Sequence, residues 1–361
     1  MRPFFPVLST ASCFLMLLAF TGCAQKSEAT AENNRPEEIV STNPGQQSSE
    51  TSKSASEPSL SSDEQNSDER SVPSERSFRF HYAVTITELQ PKSLARIWIP
   101  VAESNAHQQV KIIQTILPAA PQVTLEKTYG NKVFYFEAVA NESGEIPLEV
   151  VYEVTRTEVT PETGHAFDKR NREVFLQANR LVPIGGKPFE LFIRGHRPAG
   201  DPLSIARELY DKVDHHVKYD KPVQGNWGRG DAVWVCDSKY GNCTDFHSLF
   251  ISVSRSINIP SKFEIGFPIP ERKGSGDVGG YHCWAWFAKN GHWMPVDISE
   301  ADKHPELKDY YFGHLSADRV LFTTGRDLQL EPAPQTGPVN FLIYPHIEVD
   351  GVLHTKISKR F

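Results

Sequence analysis

The residues best placed to do chemistry are a cysteine, a histidine and an aspartate, met in that order as Cys243, His282 and Asp297. Cys243 lies within Gly241-Asn242-Cys243-Thr244-Asp245. After it, Phe246, Leu249, Phe250, Val253 and Ile257 recur at three- and four-residue steps. That period predicts a buried helix over about 244–256, with Asn242 as N-cap and Pro260 as a stop. A cysteine at a helix N-terminus meets unpaired amide N–H groups and the positive end of the dipole, both of which favour thiolate over thiol. On its own, such a cysteine would read as a small buried apolar residue. Here two strand-like runs follow, 281–287 and 293–298, joined by Lys289-Asn290-Gly291-His292. Asn-Gly between two such runs is a strong hairpin signal. The hairpin sets His282 near the start of one strand, roughly opposite Asp297 near the end of the other. A helix-tip thiol facing a base that a carboxylate orients is a nucleophile, base and orienter arrangement suited to acyl transfer.

Three separate blocks resemble the transglutaminase-like superfamily of papain-fold cysteine enzymes. Gly241-Asn242-Cys243-Thr244-Asp245 looks like its Gly-x-Cys block, Gly280-Tyr281-His282-Cys283-Trp284 like His-x-Trp, and Pro295-Val296-Asp297-Ile298-Ser299 like Val-Asp. The resemblance covers about 203–299. It implies an α+β fold with a papain-like transglutaminase core, and a Cys243, His282, Asp297 triad acting on a protein or peptide substrate through a thioester. It implies no metal and no other cofactor. Trp286 stands where many bacterial members carry a glutamate, so substrate preference does not carry over. In the family an upstream aromatic residue helps to bind the oxyanion. Trp227 or Tyr219 could do this, or either could be an ordinary packing residue, and the Cys243 N–H is the other expected donor.

Neighbouring residues have simpler readings. Asp245 falls in the first helical turn, where a carboxylate suits the dipole. His247 could share the helix face of Cys243, but a base must reach the thiol across a cleft, which favours His282. A zinc site from Cys236, Cys243, His247 and His282 matches no standard ligand spacing. Strand alternation puts His282, Trp284 and Trp286 on one face and Cys283, Ala285 and Phe287 on the other. The two tryptophans therefore either wall a substrate groove or pack beneath the hairpin.

The elements that must hold these residues begin well inside the chain. Residues 1–22 read as a lipoprotein signal peptide, with Arg2 before a short apolar run and Phe20-Thr21-Gly22-Cys23 resembling a lipobox whose Cys23 is lipidated. Residues 23–76 lack aromatic side chains and are rich in Ser, Glu, Asn, Gln and Pro, the composition of a disordered tether. Such a chain spans on the order of 40 Å. It carries 5 basic and 11 acidic residues of a chain whose net charge is −7, which leaves 77–361 at −2. The globular part thus has no basic excess to suggest nucleic acid. Over 77–158, alternating runs such as Phe78, Phe80, Tyr82, Val84 and Ile86 predict an all-β, sandwich-like domain. Residues 159–361 read as the catalytic domain, opened by a helix with Asp201 as N-cap and Pro202 at its first position. Its closing strands are expected at 341–344 and 347–349, finishing the catalytic sheet.

Beyond Cys13 and Cys23, three cysteines remain, so at least one thiol stays free in an oxidising compartment, and a bond between Cys236 and Cys283 stays open. The combined reading is an extracytoplasmic, membrane-tethered thiol enzyme, with hydrolysis favoured over amine transfer. Its rival is a non-catalytic binding or scaffold lipoprotein of the cell envelope, for which an incomplete triad would be the signature.

Overall fold

The computed structural model describes residues 74–222, 226–271 and 274–361. The expected signal peptide, Cys23 and nearly all of the tether lie outside the described residues. Six strands come first: β1 (Glu75–Ile86), β2 (Leu94–Pro100), β3 (Gln108–Ile116), β4 (Gln122–Leu125), β5 (Lys132–Val139) and β6 (Ile146–Thr157). Helices α1 (Gly186–Phe189) and α2 (Pro202–His216) follow, then a short strand β7 (Lys218–Tyr219), α3 (Ala232–Ser238), β8 (Tyr240–Gly241) and α4 (Cys243–Ser256). Strands β9 (Ser261–Pro268), β10 (His282–Lys289) and β11 (His292–Val296) lead to α5 (Ile298–Lys303) and β12 (Arg319–Thr324). The chain closes with β13 (His346–Val349), β14 (Val352–Leu353) and β15 (Ile357–Arg360).

Alternation in β1 does what its pattern requires: Phe80, Tyr82, Val84 and Ile86 are buried, while the residues between them are exposed or half-buried. The sheet β15-β1-β6-β3 and the sheet β14-β13-β2-β5-β4 are both antiparallel and bury their apolar sides in one cluster. A third antiparallel sheet, β11-β10-β9-β12, carries α4 against β9 and β10. The N-terminal β-rich region thus precedes a mixed helix-and-sheet core, as the fold class requires.

The closing strands depart from expectation. Residues 341–344 form no strand, β13 pairs with β2, and β15 pairs with β1. The C-terminus therefore completes the N-terminal sheets and not the catalytic one. The reason is hydrophobic: Phe361 packs on Phe80 and on Phe267 of β9, with ring centroids 6.3 and 4.5 Å apart. Phe80 meets Phe267 directly at 4.9 Å. One continuous core therefore crosses the position-158 boundary, and burying each such ring contributes about 1.5–3 kcal/mol. The first strand also begins earlier than the tether boundary suggested, because Arg76 pairs with Asp318 and donates to the Pro270 carbonyl at 2.6 Å.

Candidate active site

The site is assembled from the N-terminus of α4 outward. Asn242 caps the helix by accepting from the Thr244 N–H at 3.0 Å. Asp245 answers from the N3 position, its Oδ2 accepting from the Asn242 N–H at 3.0 Å, which completes a capping box. The same carboxylate reaches further than the dipole argument alone implied. It accepts from the N–H of Gly228 (2.6 Å) and Gly230 (3.0 Å), tying that loop to the helix tip. This explains the glycine of the Gly-x-Cys block: a Cβ on Gly241 would lie 2.6 Å from Asp245 Oδ2. Arg326 holds the other side of the loop, donating to the carbonyls of Arg229 (3.1 Å) and Gly230 (3.2 Å) and to Ser248 Oγ on α4 (2.6 Å).

The hairpin of β10 and β11 turns at Asn290 and Gly291, both left-handed (φ 49° and 85°). Its register pairs Ala285 with Val296. Asp297 therefore stands diagonal to His282, not opposite it, and is the N-cap of α5 rather than a strand residue. The diagonal suffices: His282 Nε2 and Asp297 Oδ2 are 2.8 Å apart. Arg319 Nη1 donates to the same oxygen at 3.1 Å, while Ser299 Oγ and the Glu300 N–H reach Oδ1 at 3.3 Å each. With Nε2 engaged by Asp297, Nδ1 is the His282 nitrogen left for sulfur. Cys243, His282 and Asp297 are 2%, 6% and 0% exposed, so these charges act on each other with little screening by water.

Burial alone would push the Cys243 thiol up, but hydrogen bonds from Cys283 and His282 bring it well below the ordinary thiol range. Burial likewise opposes the His282 imidazolium, yet Asp297 beside it lifts it to about 10. Asp297, also opposed by burial, is held well below the carboxylate range by His282 and Arg319. The resting site is thus a thiolate–imidazolium pair backed by a carboxylate. His247 differs: burial lowers it to about 4, and its Nε2 accepts the Ile298 N–H at 3.0 Å. It is a neutral, anchored ring.

Residues 192–298 match the model of the transglutaminase-like superfamily. The chain carries a transglutaminase-like core. An uncharacterized protein of Haemophilus influenzae is 26% identical over 303 residues, covering 71% of this chain and 80% of that one. A structure described as a candidate cysteine protease from Cytophaga hutchinsonii is 15% identical and covers 79% of this chain and 92% of its own, with a TM-score of 0.47. The periplasmic domain of TgpA from Pseudomonas aeruginosa is 17% identical and covers 63% and 89%, with a TM-score of 0.35.

Within the transglutaminase-like core, several sequence alternatives resolve. The Trp227 N–H donates to the Pro222 carbonyl at 2.8 Å, so it is already engaged, whereas Tyr219 lies within electrostatic reach of Cys243. Trp284 and Trp286 are 0% and 1% exposed and pack beneath the hairpin with Val159, Phe167, Trp293 and Leu315, so they wall no groove. Both indoles donate to Glu264 Oε2 at 2.7 Å, and Lys262 donates to its Oε1 at 2.5 Å. The zinc quartet does not assemble: the Cys236 thiol donates to the Ala232 carbonyl within α3, at 3.1 Å. Among the described residues, the three groups close enough to share an ion are His282, Asp297 and Glu300. Arg319 and Lys303 already pair with these two carboxylates. Cys236, Cys243 and Cys283 are all free thiols. Arg319, Arg326 and Glu264 were not foreseen, because nothing local marks a residue whose partner lies on another strand or loop. Asp245 could have been weighted more heavily, since Asn at N-cap with an acid three residues on is a capping signature.

Proposed function

We propose that this chain is an extracytoplasmic thiol hydrolase, tethered to a membrane through lipidated Cys23, that cleaves amide bonds of proteins or peptides. The observation that carries the reading is the 2.8 Å pair of His282 and Asp297 together with a buried Cys243 at a helix N-terminus, whose thiol is held well below its ordinary range. The Cys243 thiolate attacks the amide carbonyl, and the oxyanion takes up hydrogen bonds from the Cys243 N–H and the Tyr219 hydroxyl. As the C–N bond breaks, His282 gives its proton to the leaving amine, and Asp297 keeps the ring aligned. A thioester remains on Cys243. Water then attacks with His282 as base, the carboxylic acid leaves, and the thiolate–imidazolium pair returns. Hydrolysis is preferred to amine transfer because water is always present and amine transfer would need a site that excludes it. With a globular charge of only −2, nucleic acid is not the partner.

The test is to trap the intermediate. Peptide-amide donors and envelope peptides are mixed with the protein, quenched in acid and mapped by mass spectrometry. The expected result is an acyl adduct on Cys243, absent from Cys243→Ala and discharged to free acid on dilution into buffer. No adduct with any donor, together with tight donor binding unchanged in Cys243→Ala, would give the chain to the scaffold reading.

A further inference from the structure

Nucleophile and base stand on separate elements, so their separation depends on what joins those elements. Cys243 opens α4 between Asn242 and Thr244, and His282 opens β10 directly after Tyr281. The three side chains flanking this pair form a closed ring of hydrogen bonds. Asn242 Nδ2 donates to Tyr281 Oη at 3.0 Å, Tyr281 Oη and Thr244 Oγ1 are 3.1 Å apart, and Thr244 Oγ1 donates to Asn242 Oδ1 at 2.8 Å. The polarity is fixed by the helix cap. Asn242 Oδ1 also accepts the Thr244 N–H at 3.0 Å, which sets the way its amide faces. Thr244 gives its one hydroxyl proton to that oxygen, so Tyr281 accepts from Asn242 and donates to Thr244. Each hydroxyl thus donates once and accepts once. Gly228 lies against the ring: a Cβ there would come within 3.2 Å of Asn242 Nδ2 and 3.6 Å of Tyr281 Oη.

We propose that Tyr281 is a positioning residue for the reaction: through this ring its hydroxyl clamps both neighbours of Cys243 to the residue before His282, and so sets how closely nucleophile and base approach. Other contacts of the helix tip run elsewhere. Asp245 ties it to Gly228 and Gly230, and His247 ties the next turn to Ile298. The ring joins the flanks of Cys243 to the strand that carries His282. Apolar packing is non-directional and leaves room for small slides that directional bonds remove. The Tyr281 aromatic ring rests on Phe341 and Tyr344, with centroids 6.1 and 5.9 Å apart, and Tyr281→Phe keeps those contacts while opening the hydrogen-bonded ring. Burial and the nearby Cys243 keep the phenol protonated, so its loss removes no charge. The titratable groups that face Cys243 are His282 and Cys283 of β10, His247 and Asp245 of α4, and the phenols of Tyr219 and Tyr344. All of them remain in that variant.

The inference rests on Cys243 being the nucleophile and His282 its base, and its test separates the two claims. Iodoacetamide labelling of Cys243 is followed against pH by peptide mapping in wild type, Tyr281→Phe, Thr244→Val and the double variant, with thermal melting of each. Letting two opposite unit charges at about 3.5 Å move apart by about 1 Å shifts a titration by about 0.8 pH unit at an effective dielectric constant of about 20. A looser pair favours the thiol, so Tyr281→Phe is expected to move the acid limb of the Cys243 profile up by roughly that amount. Thr244→Val opens the same ring from the helix side and should shift the limb alike. The double variant should go no further than either single, because the three side chains act as one unit. A Tyr281→Phe profile superimposed on wild type, whatever its melting temperature, makes Tyr281 a packing residue and overturns the clamp while leaving the nucleophile standing. A double-variant shift equal to the sum of the singles overturns it as well. A wild-type Cys243 that titrates like a free thiol overturns both claims.

Discussion

Removing the imidazole is the sharpest test of the thiolate–imidazolium pair, because two opposing effects must both appear. In His282→Ala the Cys243 sulfur loses its charged donor and stays 2% exposed, so its titration returns to the free value of ~8.5 or above. At pH 6 the thiolate fraction then drops to about 0.3%. The wild type, with the thiol held well below its usual range, keeps its sulfur ionised. The thiolate that remains is intrinsically more reactive, by about threefold for each unit of basicity regained. The net slowing at pH 6 is therefore smaller than the fall in thiolate fraction alone. On the alkaline side the sign reverses: once the variant is ionised, its more basic sulfur outruns the wild type, and the two rate–pH curves cross. The assay is pseudo-first-order iodoacetamide labelling from pH 5 to 10, with Cys236 and Cys283 resolved separately. Both should lag at low pH, since burial pushes Cys236 up to about 11 and holds Cys283 higher than an ordinary thiol. Parallel curves that never cross, or a Cys243 rate indifferent to His282, would refute the ion-pair account.

Two further outcomes follow from residues outside the triad. Lys262 holds Glu264 down to about 2 against its burial, so the carboxylate stabilises the fold above about pH 4.5 and that contribution is lost as pH falls through 2. Glu264→Gln should therefore lower unfolding free energy by roughly 3 kcal/mol at pH 7 and by less than half of that at pH 3, read from urea denaturation at both pH values; equal losses at the two would remove the linkage argument. Cys23→Ser should release the protein from the membrane fraction or stall its processing, and unchanged membrane association and mobility in that variant would end the lipid-anchor proposal.

What the sequence made legible was local. The helix of Cys243 was readable because five apolar residues repeat at its period and Asn242 caps it, and it starts within one residue of the expected position. The hairpin was readable because Asn290 and Gly291 tolerate the left-handed conformations its turn requires. Strand alternation placed Cys283 and the two tryptophans on the correct faces, but could not say that Glu264 on the neighbouring strand would take both indole protons. Non-local pairing was the blind spot. β15 joins β1 across almost the whole globular chain, and the residues that decide it, Phe361 and Phe80, are ordinary aromatics in sequence. Arg319 was equally silent, since a cation beneath Asp297 is defined only after β12 takes its place beside β9.

The arrangement around Asp297 argues for function on energetic grounds. Four groups at 0–6% exposure, the Cys243 thiolate, the His282 imidazolium, Asp297 and Arg319, alternate in sign. Desolvating each costs several kcal/mol, and such clusters are often no more stabilising than well-packed apolar replacements. A core built for stability alone has no need of them. The Lys262–Glu264 pair behind the same strands makes a useful contrast. Glu264 is saturated by Lys262 and two indoles, which locks the hairpin and leaves nothing free to react. At Cys243 the charges end instead on a sulfur at a helix tip. Stability is conceded at that one point, and the sulfur is held as an anion before any substrate arrives.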